Sequence, residues 1–411
     1  MIWRPFTQEK TTHPAIKVKK GEGAYLWAED GEKYLDMISS WWVTIHGHAQ
    51  QEIAHAIYHQ ACTLEHVIFA EFSHDPAETL VKNLKKNLPA HLCKFFFSDD
   101  GSTAVEVALK MAYQYFQNQG MKERKLFLSL EGGYHGDTFG AMSAAGKNSQ
   151  YHATFSELFF NTASVEAPEF YTGVQAIEEK ENRIIQELHE KLSEIGHTIS
   201  ALIVEPLIQG AAGMRLYRLE FLEALVKTVR QYGILVIFDE VMTGFYRTGK
   251  MFALDYTQII PDFLCLSKGL TGGFLPLALT VTTKKVYEAF LSKDPQKAFL
   301  HGHSYTANPI ACVAACKSLE ILLRQETQQR IAEIAQFHKN SFVKNVHKRR
   351  TLGTISAFDV SSYEEAHSLA NAALQNGILL RPLGNTLYLL PPYCVTDEEL
   401  AKVYDVINKY L

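Results

Sequence analysis

Lys268 is one of the residues whose type and placement could do chemistry. In PDFLCLSKGLTGGFLPLA an apolar run ends at Ser267-Lys268, and Gly269 follows. Most lysines at such a point are exposed and idle, but one at the mouth of a sheet and flanked by glycines can be partly desolvated, which would lower its pKa and let the free form attack a carbonyl as a Schiff-base nucleophile. A second run, GILVIFDEVMTGFYRTGKMFA, delivers Asp239-Glu240 to the C-terminal end of a wholly apolar strand, where open α/β sheets place their ligands. An acid there could bind a metal, orient a histidine or pair with a protonated ring nitrogen. It could equally cap a helix or form a buried pair with Arg247. Lys268 follows Asp239 by 29 residues, room for a crossover helix and the next strand, so both can face one pocket.

A third run, FFFSDDGSTAVEVALKMAY, sends an apolar strand into Asp-Gly-Ser-Thr and then a helix whose first turn begins near Ser102. Such a turn offers free N–H groups and a positive dipole end to an anion. Gly101 permits close backbone approach, and the hydroxyls of Ser102 and Thr103 can donate to phosphate oxygens. An N-capped helix with no ligand would use the same residues. Together the three runs describe a pocket for an aldehyde cofactor with a phosphate and a basic ring nitrogen.

The elements that must hold these residues are legible as well. AYLWAEDGEKYLDMI, at 24–38, reads as a hairpin. From about residue 94, short apolar runs (94–97, 125–130, 201–204, 234–238, 263–266 and 277–281) alternate with helix-length segments. This alternation predicts an α/β fold with a largely parallel, buried sheet. Residues 176–194 form an amphipathic, charge-rich helix and 308–323 a helix of small apolar residues. Beyond about 325 come a polar helix, GTISAFDV, a helical EEAHSLANAALQ, a strand pair in GILLRP and TLYLLPP, and a capping box at Thr396–Glu399. No linker of Pro, Gly or Ser separates the parts. The organisation expected is an N-terminal segment at 1–50, a large domain at 51–324 and a smaller α+β domain at 325–411.

Composition excludes other classes of function. The chain has 411 residues, 47% of them hydrophobic, with Lys+Arg 40 against Asp+Glu 45 and a net charge of -5. Nothing here attracts nucleic acid or anionic lipid, and no stretch approaches the roughly 20 apolar residues of a spanning helix. The six cysteines form no CxxC pair and read as buried thiols in a reducing compartment. With no apolar leader at MIWRPFTQEKTTH, a cytoplasmic protein is expected. The histidines of the two HGH triplets, 46–48 and 301–303, lack Cys or acid partners at ligand spacing, so no metal site is read there.

The phosphate turn, FDEVMTGFYRTGK and LSKGLTGG resemble the fold-type I pyridoxal phosphate enzymes of the class III, or ω-amino acid, aminotransferase family, over essentially the whole chain. WRPFTQ, SSWWVTIHGH, GGYHGDTFGAMS, EPLIQGAAGM, HGHSYTANPIACVAA and LLRPLGNTLYLLPPY are similar to the biotin-pathway branch of that family. The resemblance implies a large mixed, mostly parallel sheet domain with a smaller α+β domain from the two chain ends. It also implies pyridoxal 5′-phosphate as cofactor and a homodimer with shared active sites. Its ping-pong reaction would carry nitrogen from S-adenosylmethionine, or from lysine, to 8-amino-7-oxononanoate. Another ω-aminotransferase, acting on ornithine or 4-aminobutyrate, is the neighbouring alternative, and a catalytically silent paralogue a more remote one.

Carried over residue by residue, the resemblance makes Lys268 the covalent anchor of the cofactor and its proton carrier. Asp239 becomes the partner of the ring nitrogen, and Gly101 and Ser102 the phosphate cup. Asp100 departs from the family, which has Ser, Asn or Gly there, so its carboxylate must turn away or cap the turn. Tyr134 matches the aromatic residue stacked on the cofactor ring, with His135 beside it, and Glu205 an acid nearby. Ser304, with Thr306 as a second candidate, matches a residue that reaches the phosphate of the partner's cofactor. Trp41 and Trp42 match an apolar substrate wall. Arg381 matches the arginine that takes the substrate carboxylate, and Phe6 stands where relatives carry Tyr. Arg247 is expected to support the site rather than touch substrate.

Overall fold

The computed structural model describes residues 2–12, 14–146 and 153–411. Strands β1 (Val18–Glu22), β2 (Tyr25–Ala28) and β3 (Lys33–Asp36) form the antiparallel N-terminal hairpin elements. A left-handed turn, α1 (Ser39–Trp42), follows, and then helices α2 (Gln51–Ala61) and α3 (Asp75–Lys85). The alternating part runs β4 (Leu92–Ser98), α4 (Gly101–Asn118), β5 (Leu126–Leu130), α5 (Phe139–Ala145), β6 (Thr162–Val165), α6 (Ile177–Ile195) and β7 (Ile199–Val204). A short ribbon of β8 (Ile208–Gln209) and β9 (Arg215–Leu216) precedes α7 (Leu219–Gln231), β10 (Leu235–Asp239), β11 (Phe263–Leu266), β12 (Ala278–Thr283) and α8 (Lys284–Glu288).

Seven of these strands make one sheet in the order β4-β12-β11-β10-β7-β5-β6. The pairs from β11 through β10, β7 and β5 to β6 are parallel, while β12 is antiparallel to both β11 and β4. The reason is local: the segment joining β11 to β12 holds only a 3-10 turn at Lys268–Thr271, too little chain for a parallel crossover. Strands β7, β10 and β11 are buried along their whole length, and their side chains alternate between two cores as a pleat requires. Leu202, Val204, Val236 and Phe238 pack on one face, with α6 and α7. Ala201, Ile203, Leu235 and Ile237 pack on the other, against Ala104, Val105, Ala108 and Leu109 of α4.

After α9 (Pro309–Leu322) and α10 (Gln325–Asn340), β13 (His347–Leu352) and β14 (Ile355–Asp359) lead through α11 (Tyr363–Gln375) to β15 (Ile378–Leu379), β16 (Thr386–Leu389) and α12 (Asp397–Tyr410). The expected strand pair of GILLRP and TLYLLPP is corrected here. β15 joins β3 in parallel, in the N-terminal sheet, whereas β16 pairs with β14. Leu35, Met37, Ile378 and Leu380 share one core with α11 and α12, so burying the apolar faces of both chain ends draws the two strands apart. The cysteines also depart from expectation: Cys265 and Cys312 are buried, but Cys62 and Cys394 are exposed, and all six are free. Among the described residues no helix is long and apolar enough to cross a membrane.

The β13–β14 turn touches the loop after β10 through Gly353. This glycine has φ +56°, and a Cβ on it would lie 2.2 Å from the Thr248 carbonyl carbon and 2.5 Å from the Arg247 oxygen. Gly120 also has positive φ, at +83°, but open space around it. Gly120→Ala should therefore cost only the left-handed backbone penalty of about 1–2 kcal/mol. Gly353→Ala should add a backbone clash and lose at least about 2 kcal/mol more, which comparative thermal unfolding of the two variants will read.

Candidate active site

The loops after β4, β5, β7, β10 and β11 meet at the C-terminal edge of the parallel strands, where ligands of open α/β sheets bind. They enclose a cavity of about 590 Å³ whose lining includes Gly101, Ser102, Tyr134, His135, Glu205, Asp239 and Lys268. The structure thus gathers these seven expected residues into one space from the ends of five strands, with Trp42 as an eighth.

Asp239 is buried at the end of β10. Its Oδ2 lies 2.7 Å from His135 Nδ1, and its Oδ1 accepts the Val241 N–H at 3.1 Å. Burial opposes a charged imidazole, but the hydrogen bond and charge of Asp239 outweigh it and hold the His135 pKa above its ordinary value. Of the readings open for Asp239, orientation of a histidine is realised, and a pair with Arg247 is not. Glu205 accepts from the N–H groups of Tyr134 at 3.1 Å and Gly210 at 2.9 Å. Burial pushes its pKa up to about 7, with the nearby His135 opposing the shift. Lys268 sits at φ +47° with Nζ 4.5 Å above the Trp42 ring. Desolvation lowers its pKa to about 8, against the pull of Asp239 and Glu205. A positive φ at a residue other than glycine costs free energy and marks an over-determined position.

At the first turn of α4, Asp100 is the N-cap. Its side chain accepts from Thr103 N at 3.0 Å, and the Thr103 hydroxyl closes the box, so the departure from the family pattern serves as a cap. Ala104 N is taken by the Asp100 carbonyl, which leaves the N–H groups of Gly101 and Ser102 as the first-turn donors for an anion. The close approach that Gly101 permits is to protein: a Cβ there would lie 2.5 Å from Val241 Cγ1. Tyr134 borders the cavity, and its hydroxyl donates to Asp137 at 2.8 Å.

The tryptophans separate. Trp42 is buried, lines the cavity and donates its indole N–H to the Tyr388 hydroxyl at 2.9 Å. Trp41 is 38% exposed and packs instead with Phe6 (5.6 Å between rings) and Arg381 (4.4 Å over the ring). Phe6, Trp41 and Arg381 form a cluster of their own, one residue along the chain from the cavity wall. Ser304 is exposed and outside the cavity lining, while the Thr306 hydroxyl donates to the His303 carbonyl at 2.7 Å. The histidines of the HGH triplets go separate ways: His46 to Ser318, His48 to Asp36 and His301 to Lys110. Sequence reasoning missed Tyr388, 346 residues from Trp42, because no local pattern announces a contact between chain ends. It also missed Glu106 and Thr138, for which a signal existed: Glu106 follows Ser102 by one helical turn.

Arg247 is fully buried and supports the wall as expected. Nη1 donates to the Pro391 carbonyl at 2.7 Å, Nη2 to the Trp42 carbonyl at 3.3 Å, and the guanidinium lies 5.1 Å over Tyr393. A lysine cannot reproduce this fork on two carbonyls. Arg247→Lys should destabilise the protein by about 1.5–3 kcal/mol, the range for a hydrogen bond to a charged group, with a shift in tryptophan emission as Trp42 loses its anchor. Denaturation followed by fluorescence measures both.

Comparison with known proteins agrees with this geometry. The family described as aminotransferase class-III matches residues 6–411, and the chain belongs to it. It is 48% identical to the adenosylmethionine-8-amino-7-oxononanoate aminotransferase of Synechococcus elongatus, covering 100% of this chain and 98% of that protein. It is 40% identical to the enzyme of the same name from Helicobacter pylori, over 98% and 93%. Among solved structures, the adenosylmethionine-8-amino-7-oxononanoate aminotransferase of Methanocaldococcus jannaschii superposes with a TM-score of 0.91 at 35% identity, covering 100% of this chain and 96% of that one. An amine transaminase from an uncultivated Pseudomonas species, solved in its PLP-bound form, gives 0.93 at 29% identity over 100% and 98%. The fold is that of the pyridoxal-phosphate-dependent transaminases.

Proposed function

We propose that this chain is the biotin-pathway aminotransferase, carrying the amino group of S-adenosylmethionine to 8-amino-7-oxononanoate to give 7,8-diaminononanoate, with pyridoxal 5′-phosphate as cofactor. The observation that carries the reading is the convergence of Lys268, Asp239 and the first turn of α4 in one cavity. The cavity fits the cofactor. A desolvated amine faces it, a buried carboxylate lies at one strand end, and first-turn N–H donors stand at another. The names of the full-length relatives support the substrates.

Bound there, pyridoxal 5′-phosphate supplies an aldehyde that carries nitrogen and, with its ring nitrogen protonated, a sink for the electron pair left when a substrate proton departs. The protein's residues do the rest. Lys268 would hold the cofactor through its amine, and its Nζ would carry the proton that leaves the donor α-carbon and the one that returns in the acceptor half of the exchange. Asp239, oriented by His135 and the Val241 N–H, would take the ring nitrogen, each oxygen retaining a lone pair. Tyr134 supplies a flat face beside the ring, and Glu205 fixes the Tyr134 and Gly210 backbone around it. Gly101 and Ser102 would hold the phosphate through backbone N–H groups and the Ser102 hydroxyl.

Trp42 walls the space for the long acceptor. Arg381 lies on Trp41 and forms no ion pair with an acid of the described residues, which leaves its planar fork for the acceptor's distant carboxylate. Phe6, packed on Trp41, closes that end without a hydroxyl. The working form is a cytoplasmic homodimer in which Ser304, with Thr306 next to it, completes the partner's phosphate site. The exposed Leu300 and Tyr305 flanking Ser304 favour a covered surface there.

Two outcomes follow. Borohydride reduction of the yellow holoprotein should fix the cofactor onto Lys268. Because burial sets its pKa at about 8, below the 10.5 of an ordinary lysine, the uncharged amine accumulates as pH rises through about 8. Capture of added cofactor by the cofactor-free protein should rise in that window. A label on another lysine, or a rise only near pH 10, contradicts the assignment. Arg381→Ala should slow the 8-amino-7-oxononanoate half-reaction by about 1.5–3 kcal/mol and the donor half-reaction less, measured separately in single turnovers. An undisturbed acceptor half-reaction, or a wild type that aminates succinic semialdehyde as fast, would leave only the class III assignment standing.

A further inference from the structure

The loop from Tyr134 to Ala141 is built around two side chains of α4 that stand one turn apart, Ser102 and Glu106. Gly136 (φ +124°) lies so close to Ser102 that a Cβ would sit 2.2 Å from its Oγ, and a Cβ on Gly140 would sit 2.1 Å from Glu106 Oε2. Glu106 Oε1 receives three donors: the Thr138 hydroxyl at 2.6 Å, Gly140 N–H at 2.7 Å and Ala141 N–H at 3.1 Å. An oxygen already accepting two N–H bonds can only accept from the hydroxyl too, so the single hydrogen of Thr138 Oγ1 is committed to Glu106. The Thr138 N–H is likewise committed, to Ser102 Oγ at 3.0 Å.

One contact remains, Ser102 Oγ to Thr138 Oγ1 at 2.7 Å. Since the Thr138 hydrogen is spoken for, the hydrogen in this contact belongs to Ser102. The chain of bonds thus leaves one movable hydrogen at the cup, on Ser102, with Thr138 Oγ1 as its resting acceptor and the phosphate as its alternative. We propose that Glu106 is a positioning residue for cofactor binding: through Thr138 it fixes the orientation of the Ser102 hydroxyl and so sets the affinity of the cup for phosphate. This rests on the reading of Gly101 and Ser102 as the phosphate site. Glu106 itself lies outside the cavity lining and acts only through the threonine. Without its carboxylate, Thr138 loses the anchor that holds its rotamer, and the Ser102 oxygen, placed by the Thr138 N–H and hydroxyl, is no longer held at the cup.

The test compares pyridoxal 5′-phosphate with pyridoxal, which lacks the phosphate, as ligands of the cofactor-free protein, followed by absorbance. Glu106→Ala should weaken the phosphorylated ligand by about tenfold or more, the scale of one charge-assisted hydrogen bond, and pyridoxal by less than about threefold. Thr138→Val should repeat this pattern while leaving the Gly140 and Ala141 amides as protected from hydrogen exchange as in the wild type. Glu106→Gln, which keeps the accepting oxygen, should restore most of the affinity. Equal losses for both ligands would mean that Glu106 only stabilises the loop, and unchanged affinities that it does nothing at the cup; either overturns the proposal. If the wild type itself binds pyridoxal as tightly as its phosphate, the phosphate-site reading fails, a result distinct from a wild type that discriminates and variants that still do.

Discussion

A carboxylate buried at the end of a strand must be answered by a donor or a cation, because the free energy of leaving a charge unpaired in a protein interior exceeds anything packing returns. Asp239 is that group here, and His135 and the Val241 N–H answer it. The pairing brings the loop after β5 against the end of β10, across the intervening β7. Glu205, at the end of that middle strand, then completes the arrangement by accepting the Tyr134 and Gly210 N–H groups. The electrostatics of Lys268 depend on the same cluster. Desolvation depresses its pKa, while the two carboxylates keep it from falling further. An apolar residue at position 239 would leave His135 without its partner and remove one of the two carboxylates that raise the Lys268 pKa.

The neighbouring acid is equally buried and does different work. Successive side chains on a strand point to opposite faces, so Glu240 turns away from the cavity. Its oxygens accept the Ala253 and Leu254 N–H groups, each at 2.7 Å, and the Thr243 hydroxyl at 3.1 Å. Burial raises its pKa to about 7, partly offset by those donors. Two adjacent carboxylates thereby divide between an outward task, lining the cavity and holding His135, and an inward one, shaping the loop that carries Arg247.

How much of this is legible in the sequence follows from the range of each interaction. The strands, the capped turn at Asp100 and the placement of Lys268 and Asp239 at strand ends arise from contiguous residues, and apolar runs with their terminating polar groups reveal them. The partition of Trp41 from Trp42 does not, because it depends on backbone. Ser39, Ser40, Trp41 and Trp42 all have positive φ, at 47°, 56°, 137° and 73°, and no composition rule anticipates four such residues without glycine. The assignment of β15 to the N-terminal sheet, and the hydrogen count at Ser102, likewise depend on partners distant in the chain.

That strained turn is held from outside itself, chiefly by the C-terminal strand region. Ser39 Oγ donates to the Leu390 carbonyl at 2.8 Å, and the Trp42 indole to Tyr388. Arg247 bridges the Trp42 and Pro391 carbonyls, and Ser40 Oγ reaches Asp36 at 2.7 Å. Strained backbone persists only where its surroundings over-determine it, and here the surroundings are β16 and the residues just beyond. The wall of the cavity is therefore set by the chain's C-terminal part, whereas Lys268, Asp239 and the anion cup are set by the large sheet. Changes at Tyr388 to Pro391 should therefore move Trp42 while Lys268, Asp239 and the first turn of α4 keep their places.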